Sequence, residues 1–259
     1  MKNGKIGVAI GCFILGCFLA LVFFFTGKSI SDIYELQIKK TKYDPYANMY
    51  GRKLCQDARF SCVVIDKDTA WDKFRPDARE RELIMKLNRL NIPLKKGMTV
   101  AIPKDLKKSL MDFSPYPKKT ASIGEKFIVF DPALLAWAAY DKDGNLVRWA
   151  PGLGGKDYCP DIKRACRTIV GDFAVTMKGH ATSRSGAYPI GCGGKGKPCA
   201  LMPWVMYFYK HLYGIHGSDT MVGYHASHGC VRTFSDEAKW LNQNFVEIGT
   251  KVFVKPYPK

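Results

Sequence analysis

The chain has 259 residues, 47% of them hydrophobic, enough for a packed core in one large or two small domains, and it carries no internal repeat or low-complexity tract. Its formal charge of +17 points to an anionic partner: nucleic acid, a membrane surface or an acidic polymer. The lysines are scattered, with a denser run from Lys104 to Lys119, and no basic helical stripe is interleaved with aromatics, so no nucleic-acid partner is expected.

Ile6 to Phe25 is a run of 20 residues without a charge. As a helix it spans ~30 Å at ~1.5 Å per residue, the thickness of a bilayer core. Lys2 and Lys5 precede it and no Ala-x-Ala site follows, which predicts an uncleaved signal anchor over residues 1–27 in the inner membrane, or a secreted protein if the segment is cut. Leu15-Gly16-Cys17 is like part of a lipoprotein box, but the apolar run continues past Cys17 where a lipidated terminus turns polar. Residues 28–50 have no sustained periodicity and carry Asp44-Pro45; they are expected to tether a domain clear of the bilayer, with Ile33, Leu36 and Ile38 fit for a short helix.

The cysteines argue for the side of the membrane. Cys12 and Cys17 lie in the apolar run, and three pairs recur at one separation: Cys55 with Cys62, Cys159 with Cys166, Cys192 with Cys199. On a helix each pair would stand ~10 Å apart, beyond the ~7 Å a disulfide bridges, so compact loops are expected. As local disulfides each contributes about 2.5 kcal/mol in the loop-entropy model and implies an oxidising, extracytoplasmic compartment. Cys230 is left over, a candidate reactive thiol.

Residues 51–108 read as a small α+β module. Cys62 to Ile65 suggests a strand, Asp68-Thr69 a cap, Arg79 to Leu90 a helix with Leu83, Ile84, Leu87 and Leu90 on one face, and Met98 to Ile102 a strand stopped by Pro103. This β-α-α-β order, with Asp68-Thr-Ala-Trp71 near its start and Leu94 to Pro103 at its end, resembles the LysM glycan-binding modules. The resemblance implies peptidoglycan glycan as a partner, with Asn88 as a candidate contact; a spacer without binding is the plainer alternative.

Residues 109–122, broken by prolines, are expected to form a linker. From 123 to 259 the texture is mainly β, with strands over Lys126 to Phe130, Leu134 to Tyr140 and Leu146 to Trp149 around a hairpin signal at Asp141 to Asn145, and further strands at Thr168 to Met177 and Trp204 to Tyr209. One helix follows Cys230, with Ser235 as cap, Asp236 and Glu237 at its positive end, and Ala238, Leu241 and Phe245 facing inward. Gly249 then releases a last strand, Lys251 to Lys255. Trp71, Trp137 and Trp240 read as core residues, while Trp204 and Tyr224 flank the motifs and are candidates to line a cleft.

The chemistry concentrates at Gly214-Ile-His-Gly217 and Tyr224-His-Ala-Ser-His-Gly-Cys-Val-Arg232. A free thiol near pKa ~8.5 is mostly protonated at neutral pH and gains from a base or cation. His216, His225 and His228 are all near in sequence, and spacing alone does not choose among them. His225-x-x-His228-x-Cys230 also holds possible zinc ligands, but a fourth is not evident and the paired motifs of structural zinc sites are missing, so no metal is expected.

The carrying residues Ile215-His216-Gly217, Ser227-His-Gly-Cys-Val-Arg232 and Thr168 to Val175 with Gly171-Asp-Phe173 resemble the L,D-transpeptidases with a YkuD-type catalytic domain, over roughly Glu125 to Lys255. The resemblance implies a YkuD-like antiparallel β-sandwich with one helix behind the site, and no cofactor. It makes Cys230 the nucleophile and His216 the base, oriented by a backbone carbonyl near Gly217. It puts His228 and Gly229 around the oxyanion and Arg232 on a substrate carboxylate, with Ser227, Tyr224 and Trp204 as further candidate substrate contacts. Ile169 stands where the family has proline, the gap between His216 and Ser227 is short, and His225 has no role. The insert from Cys192 to Cys199 is a candidate lid. The chemistry implied is acyl transfer: Cys230 attacks the third residue of a peptidoglycan tetrapeptide stem and expels D-alanine. The thioester then passes to a stem amine, giving a 3→3 cross-link, or to water or an envelope-protein amine. A non-catalytic peptidoglycan-binding protein is the rival of a different class.

Overall fold

The computed structural model describes residues 44–194 and 196–258. The expected membrane helix, most of the tether, Cys12 and Cys17 lie outside the described residues, and among those described no helix is long and apolar enough to cross a membrane. From Tyr46 onward the chain forms one compact unit.

It begins with α1 (Tyr50–Leu54), whose C-cap Cys55 is disulfide-bonded to Cys62 in β1 (Phe60–Val64). Next come α2 (Trp71–Phe74), α3 (Ala78–Asn88) and β2 (Thr99–Pro103), which pairs antiparallel with β1. The β-α-α-β order read from the sequence is present. The Asp77 carboxylate caps α3 by accepting from Glu80 N–H, and Arg89, left-handed at φ 57°, ends the helix. Asn88 is not a glycan contact. It is 1% exposed, its amide donates to the carbonyls of Ile84 and Ala101, and its oxygen accepts from Ala101 N–H, so its hydrogen bonds splice α3 to β2.

The stretch expected as a linker packs instead of hanging free: Leu110–Phe113 forms a 3-10 turn, Phe113 and Tyr116 are buried, and Tyr116 Oη donates to Ala136 O at 2.6 Å. Then follow β3 (Phe127–Asp131), β4 (Ala136–Tyr140) and β5 (Leu146–Pro151), with the turn between the last two gathered by Asp141 Oδ1, which accepts from the N–H groups of Asp143 and Asn145. A short hairpin joins β6 (Tyr158–Cys159) to β7 (Arg164–Ala165). The strand expected over Thr168 to Met177 is divided into β8 (Gly171–Ala174) and β9 (Met177–Lys178), which serve different sheets. The remaining elements are β10 (Met206–Tyr209), β11 (Tyr213–Gly217), β12 (Val231–Thr233), α4 (Ser235–Trp240) running into a π turn at Leu241–Phe245, and β13 (Lys251–Val254). Ser235 is the first residue of α4, not its cap: Phe234 holds the cap position, and Ser235 Oγ donates to Asp219.

Two sheets, ordered β5-β4-β3-β13-β8 and β12-β11-β10-β9, enclose the main core. Ile128, Phe130, Trp137, Val252 and Val254 of the first face Met206, Phe208, Ile215 and Val231 of the second, with Leu241 and Phe245 closing one side. The sandwich is mainly antiparallel, with parallel pairings at β3–β13 and β11–β12, where each second strand returns after a long excursion.

The all-buried run Ala136-Trp-Ala-Ala-Tyr140 follows from covering on both sides. Trp137 and Ala139 point into the sandwich, while Ala136, Ala138 and Tyr140 pack under Phe60, Leu83, Leu87, Phe113 and Tyr116. The N-terminal elements thus roof the outer face of the first sheet. Lys86, on α3, reaches Asp236 at 2.6 Å and the buried Glu237 at 2.7 Å, and Arg148 holds the other oxygen of Glu237. The three disulfides join the cysteines in the local pairs that their spacing predicts, and Cys230 is free.

Candidate active site

The site is built on the parallel pair β11–β12, whose register sets His216 opposite Arg232 and Ile215 opposite Val231. Side chains alternate along a strand, so Cys230 and Arg232 share a face with Gly214 and His216. Cys230 therefore stands diagonal to His216 and beside a glycine that puts no side chain between them. One further strand across, Tyr207 continues the row, packed in an apolar cluster with Met202 and Val205 that the thiol joins.

His216 is buried, and its Nδ1 lies 2.8 Å from Gly217 O. A carbonyl only accepts, so Nδ1 carries the proton and Nε2 keeps the lone pair. Gly217 must be glycine: a Cβ there would meet the Ser235 backbone at 2.9 Å, where α4 closes behind the site. His216 is thereby backed by a helix, as expected.

The turn before Cys230 is held from inside. Ser227 Oγ donates to Cys230 O and accepts from Gly229 N–H at 3.1 Å, while the N–H groups of Ala226 and Ser227 donate to Gly154 O. Gly229 has φ +131°, and a Cβ on it would press on the Tyr213 ring. Ser227 is buried and committed to the turn while it also borders the cleft. The Gly229 N–H donates to Ser227 Oγ, and the turn makes no use of the Cys230 N–H.

A cleft of about 570 Å³ runs over the thiol, bordered by Tyr188, Tyr207, Leu212, His216, His228 and Arg232 among others. The Cys230 thiol donates to Leu212 O at 3.6 Å. Burial pushes the thiol up to about 11, against the lowering effects of the Gly214 backbone and the Arg232 charge. Burial also pushes His216 down to about 4, against its bond to Gly217 and with help from the Arg232 charge. At neutral pH the pair therefore rests as thiol and neutral imidazole. Arg232 is half-buried in the cleft wall and, among the described residues, pairs with no carboxylate. A desolvated guanidinium without a counter-ion is a carboxylate receptor.

Other expected residues stand elsewhere. Trp204 lies outside the cleft at φ 57°, under Lys239, and the exposed Tyr224 does not border the cleft either. Each sits on a connection just outside the strands that aim side chains at the thiol. His225 gains a role: its Nδ1 accepts from Gly154 N–H at 2.9 Å and its Nε2 faces Pro132 O at 3.1 Å, tying the motif to the first sheet. Both ring nitrogens are thus engaged away from His228 and Cys230. Cys159, Asp161 and His228 bring ligand atoms within 4.8 Å of one another, but the Cys159 sulfur is in a disulfide and is no thiolate ligand. Residues 185–188 and 200–203, on either side of the Cys192–Cys199 insert, form one wall of the cleft, while the insert itself does not border it. Tyr207, Tyr188 and Asp161 were missed from sequence; only the strand register could have signalled Tyr207.

Residues 125–254 match the family model of the L,D-transpeptidase catalytic domain, YkuD. Among solved structures, an L,D-transpeptidase from Xylanimonas cellulosilytica is similar over 68% of this chain and 79% of its own, at 23% identity and a TM-score of 0.48. An Enterococcus faecium L,D-transpeptidase is similar over 50% of this chain and 49% of its own, at 24% identity and 0.40. L,D-transpeptidase 3 from Mycobacterium tuberculosis, in complex with a faropenem-derived adduct, is similar over 62% and 75%, at 15% identity and 0.41. No curated protein matches the chain.

Proposed function

The chain belongs to the L,D-transpeptidase catalytic-domain family, matched over half its length, and from that we propose that it is a peptidoglycan L,D-transpeptidase with Cys230 as nucleophile and His216 as base. The observation that carries the assignment is the fixed tautomer of His216: Nδ1–H on Gly217 O leaves Nε2 basic on the strand beside the thiol. A neutral thiol next to a neutral imidazole favours proton transfer during attack over a preformed thiolate.

In this mechanism His216 Nε2 takes the thiol proton as sulfur attacks the carbonyl of the third residue of a tetrapeptide stem. The Cys230 N–H, left free by the turn, is the backbone donor suited to the oxyanion. Collapse expels D-alanine, whose nitrogen takes the proton from His216. A stem amine then attacks the thioester, restoring the thiol and forming a 3→3 cross-link. Arg232 is suited to a carboxylate of the stem, and Tyr188 and Leu212 to its apolar parts. Three disulfides support an extracytoplasmic protein, since such bonds persist in oxidising compartments; anchoring by residues 6–25 is part of the same proposal.

The test is mass spectrometry of products from a purified disaccharide-tetrapeptide, with and without an added amine donor. Loss of one D-alanine per cross-linked dimer is expected, abolished in Cys230→Ala. Undiminished turnover in Cys230→Ala refutes the nucleophile; D-alanine release that ignores the amine makes water the acceptor.

A further inference from the structure

His228 is held by two loops distant in sequence. Its Nε2 lies 2.7 Å from Asp161 Oδ2, and the Tyr188 ring packs against it with centroids 4.4 Å apart. Asp161 sits at the tip of the β6–β7 hairpin, which is closed by the Cys159–Cys166 disulfide and by the pairing of Tyr158 with Ala165. Tyr188 comes from the segment 185–188 that walls the cleft. The hydrogen bond from His228, with Lys156 nearby, holds the Asp161 carboxyl below the usual carboxylate range. An ionised carboxylate only accepts, so the proton of this bond belongs to Nε2. The other ring nitrogen, Nδ1, has no hydrogen-bond partner among the described residues.

We propose that Asp161 is a positioning residue for transfer: its carboxylate fixes His228 as the Nε2–H tautomer and presents Nδ1 to the amine that enters the cleft beside Cys230. This rests on the transpeptidase function proposed above. Nδ1 accepts a hydrogen bond from one amine N–H, which turns the nitrogen lone pair toward the thioester carbon. As the C–N bond forms and the C–S bond breaks, the amine proton passes to His216 and from there to the Cys230 sulfur. Asp161 does not touch substrate; it acts through the imidazole, as outer partners of functional histidines do. Tyr188 keeps the ring from swinging out of the cleft, so the 185–188 wall and the hairpin act on the same side chain.

The experiment uses the full chain as wild type, Asp161→Asn, Asp161→Ala and Asp157→Asn. Asp157 lies at the base of the same hairpin, paired with Arg167 at 2.7 Å and apart from His228, and serves as the control. Asp161→Ala is expected to slow amine transfer about tenfold, the lower range for losing an outer partner, while single-turnover release of D-alanine stays within about twofold. Asp161→Asn keeps an oxygen for the Nε2–H and is expected to restore transfer to within about threefold of wild type. Nitrogen-15 spectra of the histidine rings should show the Nε2–H form of His228 in wild type and Asp161→Asn and a mixture in Asp161→Ala. Wild-type transfer in Asp161→Ala overturns the proposal, as does an Asp161→Asn protein as slow as Asp161→Ala, or equal slowing of both half-reactions. If the wild type turns over no stem peptide, the transpeptidase function itself fails; an unchanged His228 tautomer in Asp161→Ala removes the role of Asp161 independently of turnover.

Discussion

Alkylation of Cys230 by iodoacetamide, followed by mass spectrometry from pH 5 to 11, distinguishes a resting thiol from a preformed thiolate–imidazolium pair. With the thiol pushed up to about 11, only ~10⁻⁴ of it is thiolate at pH 7, against ~3 × 10⁻² for a free cysteine near 8.5. The deficit is ~300-fold. A more basic thiolate is also a better nucleophile, and a Brønsted slope of ~0.45 over this difference returns about tenfold. Cys230 should therefore react roughly 30-fold more slowly than free cysteine at pH 7, with a rate rising tenfold per pH unit well past pH 9. A plateau between pH 5 and 8 would mean that the imidazole already holds the thiol proton, and would refute the argument. Two variants sharpen the test. Arg232→Gln removes a side-chain charge that favours the thiolate and should slow alkylation at every pH below the plateau. His216→Gln removes a neutral ring, so alkylation should change little while stem-peptide turnover falls about 10²-fold or more, the usual worth of a general base.

His216 also links stability to acid. Its pKa near 4 in the fold and ~6.5 in the unfolded chain means that the unfolded state binds the extra proton between those values, so stability is full above pH ~6.5 and about 3 kcal/mol is lost as pH falls through 4. Urea unfolding at pH 7.5 and 3.5 should show that loss shrinking in His216→Gln; an equal loss in both proteins would contradict it. Lys86→Met leaves Glu237 buried with only Arg148, and should cost about 3 kcal/mol in urea unfolding at pH 7, with partial recovery in Lys86→Met/Glu237→Leu. Asn88→Ala strands the N–H and the carbonyl of Ala101, and should lower the unfolding free energy by about 2 kcal/mol; a change under 0.5 kcal/mol would mean those groups find water instead.

The element types were legible because local pattern decides them: apolar runs mark β3 and β4, the apolar face of Leu83, Ile84, Leu87 and Leu90 marks α3, and equal cysteine spacing marks the three disulfides. The motif glycines were legible as a turn, but not what the turn does with its donors. That Gly229 N–H goes to Ser227 Oγ depends on a side-chain rotamer, which no spacing encodes. Trp204 and Tyr224 were near the right residues in sequence and on the wrong connections in space. Tyr207 and Asp161 reach the site from strands and loops that only sheet register and a hairpin bring there, and long-range pairing of that kind leaves no local trace. His225 looked like a spare base because its two partners, Gly154 N–H and Pro132 O, are backbone groups that any residue would supply.

The composition of β4 carries one more consequence. A sheet face meant for solvent alternates apolar with polar, yet Ala136, Ala138 and Tyr140 on the outer face are as buried as Trp137 and Ala139 on the inner one. The roof is made by residues before 123, so a fragment of 123–259 uncovers Tyr140, Trp149 and the outer side of Phe127. At ~2 kcal/mol for each large side chain that is about 6 kcal/mol. Loss of Lys86 from Glu237 adds about 3 kcal/mol, and the sum lies within the whole stability of an ordinary domain, ~5–15 kcal/mol. The damage also reaches the site along a continuous path. Lys86 holds the first turn of α4, Ser235 of that turn packs against Gly217, and Gly217 O fixes the His216 tautomer. The fragment is therefore expected to unfold without cooperativity by far-UV circular dichroism in urea and to lose turnover, whereas a chain beginning at residue 44 keeps both. A cooperative, fully active 123–259 fragment would show that the roof is a passenger and that the sandwich alone holds His216 in place.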